Sequence, residues 1–77
     1  MPRRGKADPT AQAFGSAVRE ARISRGETLE DVARRLTRMD AKYLGEIERG
    51  WHSPSIGTAK RIADALELDL SELVRDL

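Results

Sequence analysis

Four residues suited to capping helices, Thr28, Asp40, Ser55 and Asp69, divide this chain into short segments whose apolar residues recur three and four apart. That punctuation favours short helices packed on one another, because strand-like alternation is absent and β-branched and aromatic residues are sparse. Five helices and no sheet are expected. Asp8 and Pro9 open the first, with Phe14, Val18 and Ala21 facing inward and Gly26 as its stop. Thr28, with Asp31 three residues on, caps the second, which carries Leu29, Val32, Ala33 and Leu36 on one face. Asp40 caps the third. Met39 before that cap and Leu44 beyond it form a hydrophobic staple, Leu44 and Ile47 face the core, and Gly50 ends the helix. Ser55 caps a fourth with the stripe Ile56, Ala59, Ile62, Ala63 and Leu66, and Asp69 with Glu72 boxes a short last helix.

Seventy-seven residues make one small domain with a thin stability margin. Without cysteine, neither disulfides nor thiolate metal sites can support it, so helix packing must, and a reducing cytoplasm is the natural compartment. No apolar run approaches the ~20 residues that cross a bilayer, so no membrane association is expected. Residues 1–10, with Arg3, Arg4 and Lys6 among Pro2, Gly5 and Pro9, read as a flexible basic arm, and residues 11–77 as the folded domain. The arm lies along a nucleic-acid groove, acts as a salt-sensitive tether, or has no role. The net charge is only +1, but residues 1–52 hold eleven Lys or Arg against eight Asp or Glu, and residues 53–77 three against five. A basic front and an acidic rear suit a domain that meets a polyanion on one side.

Two adjacent short helices with a tight link are what the major groove of DNA admits, one lying across the backbone while the next inserts. Helices two and three fit. The stretches GETLEDVARRL, MDAKYLGEIERG and PSIGTAKRIADALELDLSELV resemble the Cro/C1-type (XRE-like) helix-turn-helix family, which includes phage repressors and restriction–modification controller proteins. The resemblance spans roughly residues 14–77, and IERG at 47–50, the Pro-Ser at 54–55 and LDLSEL at 68–73 are its most specific pieces. It implies an all-α, compact five-helix, lambda-repressor-like domain. It also implies a homodimer that regulates transcription at a palindromic or near-palindromic operator; no cofactor is expected. By position it makes Arg22 and Glu48 a structural ion pair. An acid near a helix C-terminus opposes the macrodipole and calls for such a cation.

Three positions depart from the family pattern. The turn between helices two and three has no glycine, with Thr37 or Arg38 near its expected place; Leu29 stands where several phage repressors carry a phosphate-contacting glutamine. Glu67 stands where a glycine commonly closes helix four, which requires a left-handed residue or a different cap.

With Leu44 and Ile47 inward, Ala41, Lys42, Tyr43 and Glu46 should project from the opposite side of helix three. Ala41, Lys42 and Glu46 are the expected base readers: Lys42 donates to guanine, Glu46 accepts from cytosine N4, and Ala41 lies against a thymine methyl. The plain alternative is a solvated helix face with one charge pair. Tyr43 suits a phosphate or sugar, and the resemblance places Arg38, Trp51, His52 and Ser53 on the DNA backbone as well. For Trp51 packing in the core is the competing reading, and for His52 plain exposure. A lone histidine offers no metal site. Gly45, costly inside a helix, is expected to allow close packing against helix two.

Leu70, Leu73, Val74 and Leu77 offer more apolar surface than one small monomer can bury, and are the expected dimer interface. Catalysis is not expected, since there is no cysteine, one histidine and no phosphate-cradling loop. An antitoxin-like module that binds a partner protein and represses its own operon is the alternative, although the short arm offers little for wrapping a toxin.

Overall fold

The computed structural model describes residues 9–77; Asp8 and the basic residues Arg3, Arg4 and Lys6 lie outside them. Each expected cap within that range forms. Pro9 opens α1 (Pro9–Ser24), where its missing N–H costs nothing. Thr28 Oγ1 accepts from the Asp31 amide at 3.0 Å while the Thr28 amide donates to Asp31 Oδ2 at 2.9 Å, starting α2 (Leu29–Ala33). Asp40 Oδ1 accepts from the Tyr43 amide at 2.8 Å and starts α3 (Ala41–Glu48). Ser55 Oγ accepts from the Thr58 amide at 3.1 Å and starts α4 (Ile56–Ala65). The Asp69 amide donates to Glu72 Oε2 at 3.1 Å at the start of α5 (Leu70–Leu73). No strand occurs among the described residues, and no helix among them is long and apolar enough to cross a membrane.

Three helices stop in the same way. The Glu27 amide reaches back to the Arg22 carbonyl, Trp51 to Glu46 and Leu68 to Ala63, each five residues earlier, at 2.9–3.2 Å. This closure needs a left-handed residue at the preceding position. Gly26 and Gly50 supply it at φ 70° and 80°, and at the end of α4 Glu67 adopts φ 60° itself. Arg38, in the turn between α2 and α3, is likewise left-handed at φ 63°.

Val18, Val32, Leu44, Ile47, Ile62 and Leu66 are fully enclosed at the centre. α3 packs against α1 and α2, and α5 against α4 and α1. The α1–α3 approach depends on Gly15, where a Cβ would stand 2.6 Å from the Glu48 carbonyl oxygen, closer than any side chain tolerates. Gly45 answers to α2 as expected, since its added Cβ would sit 3.3 Å from Leu29 Cδ1.

Packing corrects three expectations. α2 ends at Ala33, and Leu36 reaches the core from a turn whose amide bonds to the Ala33 carbonyl. Ile56, expected in the inward stripe of α4, is 81% exposed, because the core begins one turn further on at Ala59. Leu73, expected at a dimer interface, is 2% exposed inside the monomer. A four-residue helix has room for one fully inward side chain, and Leu73 takes it while Leu70 and Val74 stay half-buried at the edge and Leu77 exposed.

Candidate nucleic-acid interface

Leu44 and Ile47 pin the underside of α3, so its first turn faces outward. Lys42 and Tyr43 are exposed, and Ala41 is half-buried where it meets the core. Glu46 departs from expectation. It is 7% exposed, with Oε1 2.7 Å from His52 Nε2, and so does not project from the helix as a free acceptor. The cause is the helix stop: the Trp51 amide closing on the Glu46 carbonyl turns the following loop back along α3 and lays His52 beside Glu46. The His52 ring in turn stacks on Tyr43, with centroids 4.7 Å apart and planes 29° from parallel. Glu46, His52 and Tyr43 thus form a short chain that fixes the tyrosine ring at the outer surface. Trp51 does not join the core cluster; it is half-buried, with the Arg49 guanidinium 4.5 Å from its ring centre. Ser53 is exposed beyond it.

Behind this face the charges are matched. Arg22 meets Glu48 with two parallel bonds, Nε to Oε2 at 2.7 Å and Nη2 to Oε1 at 2.9 Å, and its remaining Nη1 donates to the Glu27 carbonyl at 2.8 Å. The bond to Glu48 raises the Arg22 pKa further above its already high value. Glu27 Oε1 accepts from Arg35 at 2.6 Å and from Arg25 at 2.9 Å, and these bonds, the Arg35 bond foremost, hold its carboxyl below the usual range. Arg35 and Arg25 also donate to the carbonyls of Ala65 and Leu66, satisfying the end of α4 where Glu67 is left-handed. Arg34 pairs with Asp31 and Lys60 with Asp64.

The remaining cations are distributed unevenly. Among the described residues, Arg19, Arg38, Lys42, Arg49, Arg61 and Arg75 form no ion pair, and four of these six belong to the turn, α3 with its cap, and α4. The first turns of α3 and α4 carry no acid, whereas α2 begins with Glu30 and Asp31 and α5 holds Glu72. Cations without an acid partner are thus concentrated on the turn, α3 and α4, the electrostatic footprint of a polyanion site, although the Asp40 carboxylate caps the start of α3. A cleft there is lined by Leu36, Thr37, Arg38, Met39, Tyr43, Thr58 and Arg61. Sequence reasoning did not single out Arg61 and Thr58, because α4 reads as a core helix; their places off its apolar stripe were the only signal.

Residues 18–73 match the family model described as helix-turn-helix. The chain is 40% identical over 65 residues to the transcriptional regulator ClgR of Mycobacterium tuberculosis, covering 84% of this chain and 57% of that one, so it spans little more than half of that relative's length. The restriction–modification controller protein C.AhdI from Aeromonas hydrophila superposes with a TM-score of 0.75 at 33% identity, covering 82% of this chain and 90% of that one. The clp gene regulator ClgR from Corynebacterium glutamicum superposes with a TM-score of 0.82 at 28% identity over 88% of this chain and 87% of that one.

Proposed function

The chain belongs to the helix-turn-helix family, and from that premise we propose that it binds double-stranded DNA as a homodimer and regulates transcription at an operator with twofold symmetry, with α3 in the major groove. The observation that carries this reading is the gathering of unpaired cations on the turn, α3 and α4 while the cations behind them are neutralised within the fold. The similarity to a transcriptional regulator and to a restriction–modification controller protein supports it. Lys42 reads a base edge, with Ala41 beside it at the groove floor. Tyr43, Arg38, Ser53 and the Trp51–His52 loop meet sugar and phosphate. Glu46 orients Tyr43 through His52 and makes no base contact of its own.

The homodimer uses the apolar groove between α4 and α5, where Ile56, Pro54, Val74, Leu70 and Leu77 meet Phe14 and Ala11 of α1. Ile56 at 81% and Leu77 at 54% exposed are apolar surface that a second copy would cover. A twofold axis there sets the two reading helices about one DNA turn, ~34 Å, apart.

Selection from a random duplex library tests the reading. The wild type should enrich half-sites spaced by one turn, Lys42→Ala should lose preference at one base pair per half-site, and Ile56→Asp should sediment as a folded monomer. An unselected pool, or an unchanged motif with Lys42→Ala, would contradict α3 as the reader, and an unchanged sedimentation profile for Ile56→Asp would contradict the groove as the interface.

A further inference from the structure

We propose that Arg61 of α4 and Arg38 of the turn form a two-guanidinium seat for a single phosphodiester of the duplex backbone, a site that the α3 reading alone does not contain. The proposal rests on the DNA-binding reading above and adds an element, α4, to the surface that grips. Both arginines line one cleft, with Tyr43 and Thr58 on its walls and Leu36 and Met39 as its half-buried apolar floor.

Three observations converge. Neither guanidinium has an acid partner among the described residues, although the next basic residue along α4, Lys60, is tied to Asp64 at 2.7 Å. Arg61 is already turned toward the cleft: its Nη2 donates to Thr58 Oγ1 at 3.2 Å, one turn back along the helix, and this holds the guanidinium near the start of α4. That bond occupies one N–H and leaves the others for a ligand with several acceptor oxygens. Finally, Arg38 keeps a left-handed backbone at φ 63° where glycine would sit without strain, and strain at a surface turn is retained where the side chain has work that glycine cannot do.

The chemistry fits a phosphate better than a carboxylate or a base edge. Two planar forks approaching from separate elements match a tetrahedral anion with accessible oxygens on different sides, and the Tyr43 and Thr58 hydroxyls can add neutral donors. The apolar floor excludes part of the solvent and strengthens each charge-assisted bond.

The experiment is a salt titration of binding to a fluorescein-labelled mixed-sequence duplex, using the full chain with Arg61→Gln, Arg38→Gly, the double variant and Lys60→Gln as the control. One seat neutralises one phosphate, so the double variant should lower the slope of log affinity against log salt by about one per protomer, about two for the dimer, with each single variant losing part of that and Lys60→Gln unchanged. Arg61→Lys should restore the slope, since charge rather than shape sets counterion release. A slope unchanged in the double variant, while the wild type binds the duplex with a salt-dependent affinity, would overturn the seat and leave the DNA reading intact. Absence of duplex binding by the wild type at low salt would overturn both.

Discussion

The two sides of this small domain treat arginine in opposite ways. Behind α3, Arg22, Arg25 and Arg35 are held by Glu48 and Glu27 and by the carbonyls of residues 27, 65 and 66, so that their charge is consumed in joining α1, α2, α3 and α4. In front, Arg38, Lys42 and Arg61 form no ion pair among the described residues. The contrast explains how a chain of net charge +1 can still offer unpaired cations at one cleft: Glu27 and Glu48 take up arginines within the scaffold and leave Arg38 and Arg61 unmatched. Total charge is therefore a poor guide to such a molecule, and the pairing of charges a good one.

The largest effect should come from attacking the matched side. Glu48→Ala leaves the Arg22 guanidinium largely enclosed with no carboxylate, and should cost about 3 kcal/mol in urea unfolding, whereas Lys42→Ala should stay within about 0.5 kcal/mol. Equal losses in the two variants would erase the distinction between scaffold and gripping charges. A smaller effect of opposite sign sharpens it. Arg38→Gly and Glu67→Gly each remove a left-handed side chain, worth about 1–2 kcal/mol, and restore about 0.5–1 kcal/mol of unfolded-chain freedom, so each should gain up to about 1.5 kcal/mol. Only Arg38→Gly should also weaken duplex binding; a matching loss with Glu67→Gly would mean that the turn acts through the fold.

The smallest effect is acid destabilisation. Glu27 and Asp31 both have carboxyl pKa values lowered in the folded state, Glu27 by Arg35 and Arg25 and Asp31 chiefly by the Thr28 amide. Their contribution is thus complete above the unfolded carboxylate range, about pH 4–5, and is lost as pH falls through the lower folded values. Thermal unfolding should be flat from neutral pH to about pH 5 and fall below it, and Glu27→Gln should blunt the fall. A fall that begins near neutrality would point to a different group.

Much of the fold can be read from local chemistry. Thr28, Asp40, Ser55 and Glu72 act on amides within three residues, and Gly26 and Gly50 act on their own backbone, so nothing distant is needed to place those helix ends. The departure at Glu67 was equally legible, because the closure it serves is local and admits a left-handed residue of any type at a cost. The site was less legible. Periodicity sets the angle at which a side chain leaves a helix, and on that basis Glu46 should face outward with Lys42; it does not include the loop that follows, which brings His52 over Glu46. In the same way Leu73 and Ile56 share an apolar character, and only the extent of the core decides that one is enclosed and the other exposed.

The sequence alone determined the number of helices, their caps, the inward positions of α3 and the class of molecule, because these follow from interactions within one or two turns. Tertiary structure decided which charges are neutralised and which remain, since Arg22 and Glu48 lie 26 residues apart and the Arg38–Arg61 cleft joins a turn to a helix beyond α3. Local propensity acts along the chain, while electrostatic pairing acts through space, and only the folded arrangement of the helices sets those distances.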